Sequence, residues 1–365
     1  MSKKKKVRVE MRKNRSKPPR PKAWTRGFQE HGYKELATTS DERVRAKGDL
    51  SRHRTVMQEE IATADGCLRG RVIKMFGLQS VVETADGTQV RCAVRRLLKT
   101  VATDERGAVT TGDLVWFRDA GIGEGMIERV EPRHGVLTRA SRKREHVLVA
   151  NIDQVVIVVS LVEPELKVHL IDRYLASARK GDLAPIIALN KADRVELWRL
   201  QSLVGAYSQL GIPTLLTSAK TGYGIERLRE LLNGRASVFS GQSGVGKSSL
   251  LNAIQPELAL RVRTVSDVNH KGRHTTTTAE LIKLDTGGYV VDTPGVRQLQ
   301  LWDVMAEEVE GYFPEFHPFV AQCAFPDCTH THEDRCAVKR AVDRRMLSVR
   351  RYHSYQGMYN GSMAE

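Results

Sequence analysis

At 365 residues with 41% hydrophobic side chains, the chain has room for two or three domains with real cores. Its longest apolar run, residues 155–162, falls far short of the ~20 residues a membrane helix needs, so no spanning segment is expected. The basic N-terminus has no apolar stretch behind it, so no secretory signal is expected either. Net charge is +15, and residues 1–26 alone hold twelve Lys/Arg against one acid, Glu10. That detached basic block predicts a polyanionic partner. Nucleic acid suits it better than a membrane surface, because no amphipathic apolar face accompanies the charge. Five cysteines, three of them crowded between Cys323 and Cys336, suggest a metal site in a cytoplasmic chain rather than disulfides.

In chain order, residues 1–64 are expected to be a disordered basic tail. Lys3-Lys4-Lys5-Lys6, Pro18-Pro19-Arg20-Pro21 and a shortage of large apolar residues leave little to bury. Trp24, Phe28 and Tyr33 are interleaved with its cations and could stack on bases. Residues 65–134 are predicted to fold as a small β-barrel of the oligonucleotide-binding type, with an SH3-like barrel as the rival. Apolar alternation marks strands near 68–74, 80–84, 88–94, 112–117 and 125–130, and Asp86-Gly87 is a hairpin signal. Arg69, Arg71, Lys74, Arg91, Arg95, Arg96 and Lys99 would give the barrel a basic surface.

A charged connector, 134–150, with Arg139, Arg142, Lys143 and Arg144, leads into an α/β region spanning 135–302 in all. Strands at 155–159, 185–189, 213–217 and just before Gly241 alternate with helices at 166–180, 196–210 and 224–233. That alternation predicts a parallel sheet covered on both faces.

Chemistry-bearing motifs sit after these strands. Asn190-Lys191-Ala192-Asp193 is N-K-x-D: the Asp193 carboxylate can accept from guanine N1–H and the exocyclic amine together, Asn190 can brace the loop, and the Lys191 stem can cover the ring. Ser218-Ala219-Lys220 follows the next strand, where the Ala219 N–H can donate to guanine O6. Gly241-Gln242-Ser243-Gly244-Val245-Gly246-Lys247-Ser248 is a phosphate-binding loop, running on through Ser249 into a helix. Its backbone N–H groups would cradle phosphates at the helix's positive end, with Lys247 on the β- and γ-phosphates and Ser248 on Mg²⁺. Downstream, Lys271-Gly272-Arg273-His274-Thr275-Thr276-Thr277-Thr278 suits a mobile switch, with Thr275 or Thr276 completing the magnesium shell. In Asp292-Thr293-Pro294-Gly295, Asp292 would hold Mg²⁺ through water and the Gly295 N–H would sense the γ-phosphate. Ordinary GTPases run from the phosphate loop to the guanine motifs; this chain runs the other way round, as a circular permutation would. Switch II then leads straight into the C-terminal segment, which its movement can pull.

Residues 303–365 are expected to form a mostly helical zinc-binding domain. Cys323, Cys328, His330 and Cys336, spaced C-x₄-C-x-H-x₅-C, offer three thiolates and an imidazole, with His332 and His317 as rival ligands. Asp327, Glu333 and Asp334 lie close enough to support them. A basic helix over 337–352, with Lys339, Arg340, Arg344, Arg345, Arg350 and Arg351, would contact phosphate backbone.

On these motifs the chain resembles the bacterial family of circularly permuted GTPases that depend on the small ribosomal subunit, over about residues 66–355. The resemblance implies barrel, permuted GTPase domain and zinc segment, and it favours His330 over His332. It implies a late assembly factor, expected as a cytoplasmic monomer, that binds the 30S subunit and its 16S rRNA near the decoding region. It would hydrolyse GTP to GDP when the particle stimulates it, and then leave. Val296 stands where many GTPases carry a water-orienting glutamine, and the resemblance points to His274 as its substitute, with RNA as the other source. Gly244 stands where potassium-activated relatives have asparagine, so potassium dependence is not expected. A GTP-sensing RNA-binding module with negligible turnover, and a permuted GTPase of the large subunit, are the competing readings.

Overall fold

Residues 67–94 alternate buried and exposed positions with the period of two that a one-sided sheet imposes. In the structure, a computed structural model describing residues 5–10, 53–58, 66–77, 79–94, 109–141, 144–258, 279–292 and 304–361, they form strands of a closed barrel. The chain divides into two units, residues 1–65 with 321–337, and 66–320 with 338–365. In the first, β1 (Lys5–Glu10) pairs antiparallel with β2 (His53–Gln58), inside the stretch expected to be disordered. The rest of that tail, including Trp24, Phe28 and Tyr33, lies outside the described residues.

The barrel uses β3 (Cys67–Phe76), β4 (Gln79–Thr84), β5 (Gln89–Val94), β6 (Leu114–Gly121) and β7 (Glu124–Val130). Their order is β3-β4-β5-β7-β6, and β6 pairs back onto β3, so no edge is left open. The β5–β7 pair is parallel and the others are antiparallel, the Greek-key closure of the oligonucleotide-binding barrel rather than an SH3-like one. Val72, Val82, Val90, Cys92, Val115, Phe117 and Ile127 fill it. The expected connector is a hairpin, β8 (Leu137–Ser141) with β9 (Arg144–Val149).

Beyond it, β10 (Gln154–Ser160), β11 (Ala184–Asn190), β12 (Thr214–Thr217), β13 (Ala236–Ser240), β14 (Glu280–Lys283) and β15 (Tyr289–Asp292) build a sheet ordered β12-β11-β10-β13-β15-β14. All are parallel except β14. Every residue of β10 is buried, because alternate side chains feed two cores. Val155, Ile157 and Val159 join Ile171 and Leu175 of α1 (Val168–Lys180) and Leu203 and Tyr207 of α2 (Gln201–Ser208). Val156 and Val158 join Leu228 of α3 (Ile225–Leu232) and Leu250 of α4 (Lys247–Ile254). The helix expected over 196–210 opens as a 3₁₀ turn, Leu197–Leu200, before α2.

The C-terminal part of this unit contains a 3₁₀ helix, Ala306–Tyr312, and α5 (His317–Val320), then α6 (Ala337–Asp343) and α7 (Val349–Tyr359). The single basic helix expected over 337–352 is therefore two. Arg345 turns into the left-handed region at φ 59, and Ser348 restarts the helix, its Oγ accepting from the Arg351 N–H. Phe313 and Phe316 each meet Tyr355 of α7 edge-on, with ring centroids 5.5 and 5.1 Å away.

Candidate nucleotide site and metal group

The three described motif loops leave the carboxyl ends of neighbouring parallel strands, where open α/β sheets bind ligands. The phosphate loop joins β13 to α4. Gly241 has φ 143, and a Cβ there would stand 2.0 Å from the Val158 carbonyl. Gly246 has φ 95, and its Cβ would stand 2.4 Å from Asn190 Nδ2. Lys247 Nζ donates to the Gly241 and Gln242 carbonyls, each at 2.7 Å, so the ammonium is already held over the loop. Gln242, Ser243, Gly244 and Val245 complete the loop, and Ser248 and Ser249 follow Lys247 in the first turn of α4. A glycine loop running into a helix N-terminus is the geometry in which backbone N–H groups bind anions.

Asn190 ends β11, and its Nδ2 donates 2.8 Å to the Val245 carbonyl, tying the base loop to the phosphate loop. Its Oδ1 is buried with no hydrogen-bond partner among the described residues. Lys191 takes a left-handed conformation, φ 64, and its Nζ donates to the Glu163 carbonyl. Asp193 is exposed, and Ser218 Oγ donates to its Oδ1 at 2.6 Å. That hydroxyl holds the Asp193 carboxyl below the usual range, so it is an ionised acceptor at neutral pH. The Thr221 N–H fixes Ser218 Oγ in turn at 3.2 Å. Ala219 and Lys220 follow in the same turn, so the two guanine-motif loops are bound to each other.

Asp292 ends β15, next to β13, and its side chain lies outside the described residues. His274, Thr275, Thr276, Gly295 and Val296 also fall outside them, as do Arg95, Arg96 and Lys99.

In the first unit, Cys323 Sγ, Cys328 Sγ, His330 Nδ1 and Cys336 Sγ all lie within 4.8 Å of one another. Cys323 Sγ is 3.6 Å from His330 Nδ1 and 3.9 Å from Cys336 Sγ, and His330 Nδ1 is 3.3 Å from Cys336 Sγ. Zinc bonds of ~2.0–2.3 Å give tetrahedral edges of roughly 3.3–3.8 Å, so this donor set fits the ion. His332 is 81% exposed and pairs with Glu333, and neither it nor His317 belongs to the group. Burial pushes Glu333 up, but hydrogen bonds from the Thr329 N–H and hydroxyl carry it down to about 2. This carboxylate therefore pins the turn that carries His330.

Several expected RNA contacts are engaged elsewhere. Arg69 pairs with Glu131, Lys74 with Glu280, and the Arg71 guanidinium lies 5.1 Å from the Tyr289 ring centroid. Arg351 is only 4% exposed, with ion pairs of 2.7 Å to both Asp172 and Glu315. Arg91, Arg340, Arg344, Arg345 and Arg350 remain exposed, and Lys339 is half-buried. Sequence reasoning missed Asp172, Glu83 and Tyr289, because nothing local marks a partner some two hundred residues away.

A six-stranded sheet with its phosphate loop after the fourth strand in chain order, and its guanine motifs after the second and third, defines a circularly permuted P-loop GTPase. A family model described as RsgA GTPase matches residues 130–302. A Shewanella oneidensis protein, "Small ribosomal subunit biogenesis GTPase RsgA", is 41% identical over 290 residues, 78% of this chain and 81% of that one. The solved structure of YjeQ from Thermotoga maritima aligns with TM-score 0.68 at 38% identity, covering 82% of this chain and 99% of its own. YloQ, described as a circularly permuted GTPase, aligns with TM-score 0.64 at 27% identity over 88% of this chain and all of its own. The chain belongs to the RsgA GTPase family and is a GTP hydrolase. Among the described residues, no helix is long and apolar enough to cross a membrane.

Proposed function

We propose that this GTPase binds the small ribosomal subunit, assists its late maturation, and hydrolyses GTP when the subunit stimulates it. The Asn190–Val245 bond carries the nucleotide half, since it joins the base-reading loop to the phosphate loop as one pocket. Family membership carries the ribosomal half, through the name of the S. oneidensis relative.

In this reading Asp193 and the Ala219 N–H read guanine, the Lys191 stem covers it, and Ser218 and Lys220 shape the loop. Residues 241–249 cradle the phosphates, and the Gly295 N–H meets the γ-phosphate. Ser248 and Asp292, with Thr275 or Thr276, would hold Mg²⁺, which neutralises charge on the phosphates when bound. His274 positions the attacking water. The water oxygen bonds to the γ-phosphorus, the bond to the β-phosphate bridging oxygen breaks, and GDP and inorganic phosphate depart. Cys323, Cys328, His330 and Cys336 would hold one zinc as a structural clip. Exposed Arg91, Arg340, Arg344, Arg345 and Arg350 would meet 16S rRNA. The protein would act in the cytoplasm as a monomer.

GTP turnover measured with 30S particles, with 50S particles and with none tests this. The proposal expects strong stimulation by 30S alone. Stimulation by 50S alone would move the substrate particle, and negligible turnover in all three would leave an RNA-binding GTP sensor.

A further inference from the structure

The hairpin of β14 and β15 links the two candidate switches. Ala279 directly follows Thr278 of the first, and Asp292 opens the second. Its far side belongs to the barrel. Glu280 pairs with Lys74 across the backbone, which makes the barrel and the GTPase sheet one continuous sheet. Thr111 Oγ1 donates 2.9 Å to the Ala279 carbonyl, immediately beside switch I. Lys74 Nζ meets Glu280 at 2.6 Å. At the other end, Glu83 of β4 is 6% exposed, and its Oε1 accepts from both Lys283 Nζ at 2.8 Å and the Tyr289 hydroxyl at 3.0 Å. Lys283 ends β14 and Tyr289 starts β15, so one barrel carboxylate grips both strands of the hairpin.

A buried carboxylate costs stability unless it is fully partnered, and an apolar residue would pack there at less cost. Burial pushes the Glu83 carboxyl up, but the bonds from Lys283 and Tyr289 outweigh it and keep the group ionised. Such a contact is directional where an apolar one is not. A displacement of either strand breaks it.

We propose that Glu83 is a positioning residue that couples the barrel to the switches, so that nucleotide state and barrel occupancy each bias the other. The particle-stimulated part rests on the small-subunit reading above; the coupling does not. Linkage makes it reciprocal: whatever a barrel ligand does to the switch equilibrium, the γ-phosphate does to the barrel. Among the described residues, the Glu83 carboxylate bonds Gln89, Lys283 and Tyr289, none of which lies in the three described motif loops, so its loss should spare nucleotide affinity and unstimulated turnover.

Two measurements on the full-length protein test this. The first is amide hydrogen exchange of residues 79–94, with GDP and then with a non-hydrolysable GTP analogue. Wild type should show a protection difference between the two states, and Glu83→Ala should lose it. Glu83→Gln keeps an acceptor for Tyr289 without the charge for Lys283 and should retain part of it, which guards against a folding defect in the alanine variant. The second is turnover with 30S particles, where Glu83→Ala should lower the saturating rate about tenfold and leave the half-saturating particle concentration within about twofold. A wild type with equal exchange in both nucleotide states overturns the coupling. So does a Glu83→Ala protein that keeps the full exchange difference. Exchange coupling without 30S stimulation would instead sink the small-subunit reading and leave the coupling standing.

Discussion

Arg351 and Asp172, 179 residues apart, meet at 2.7 Å with side chains 5% and 0% exposed. Arg351 Nε bonds Glu315 at 2.7 Å, and its guanidinium stands 4.2 Å from the Phe313 ring centroid. The Tyr207 hydroxyl donates 2.7 Å to the same Asp172 oxygen. Arginine is thus the cation that holds α7 against α1 and α2. Replacing Arg351 with Met would leave buried Asp172 and half-buried Glu315 without their shared cation. Stability should fall by ~3–5 kcal/mol, the usual cost of breaking a buried pair from one side. Urea unfolding checks this, and a loss under about 1 kcal/mol would place Arg351 in water.

In the proposed function, guanine reading rests on Asp193. Asp193→Asn should weaken GTP binding and admit xanthosine nucleotides, whose extra carbonyl accepts from the new amide. The Ser218 hydroxyl can still donate to the Asn oxygen, so the loop should keep its shape. Nucleotide titration reads the switch in preference. Sites built on buried donors and acceptors commonly discriminate by ~10⁴ or more. A wild type that binds ATP as well as GTP would contradict the assignment.

Purified protein should contain about one zinc per chain. Cys336→Ser should lower that content, because Cys336 Sγ lies 3.3 Å from His330 Nδ1 and 3.9 Å from Cys323 Sγ within the group. Nucleotide affinity should change little. Burial pushes the Cys328 thiol up, so zinc uptake must displace protons and weaken as pH falls. Elemental analysis across pH measures both effects, and unchanged zinc in the Cys336→Ser protein would remove that residue from the ligand set.

Val296 cannot orient water, so unstimulated turnover should be slow. His274→Ala should then cost on the order of 10²-fold of the particle-stimulated rate, with GTP affinity retained. Ser248→Ala should impair turnover with or without the particle, since it would remove a magnesium ligand. Full stimulated turnover by the His274→Ala protein would hand the catalytic role to RNA.

Acid titration offers an independent check on Glu83. Its folded-state carboxyl is lowered, so its stabilisation is present above the ordinary carboxylate value of ~4.3 and is lost as pH falls through the lower folded value. Glu83→Gln should flatten that part of the stability–pH curve. An unchanged acid limb would show that Lys283 and Tyr289 do not hold the carboxylate.

The phosphate loop, the guanine motifs and the Cys/His spacing were legible in the sequence because each is a local device. The distance from Gly241 to Ser248, or from Cys323 to Cys336, is fixed by a few backbone bonds, and the order of the motifs along the chain gave away the permutation. Strands were legible for the same reason, since period two marks which face is buried. Period two does not say against what. Nothing local at Glu83, between two valines and a turn, marks a partner, and only the pairing of β14 with β3 brought Lys283 and Tyr289 to it. The basic run from Lys339 to Arg351 has no Gly or Pro to announce a break, so it looked like one helix with a wet face. Tertiary packing broke it at Arg345 and turned Arg351 inward, because the Asp172 and Glu315 carboxylates and the Phe313 ring offered a buried cation more than phosphate in water could. Short-range geometry is written in the chain; which distant charge neutralises a buried one is decided when the elements meet.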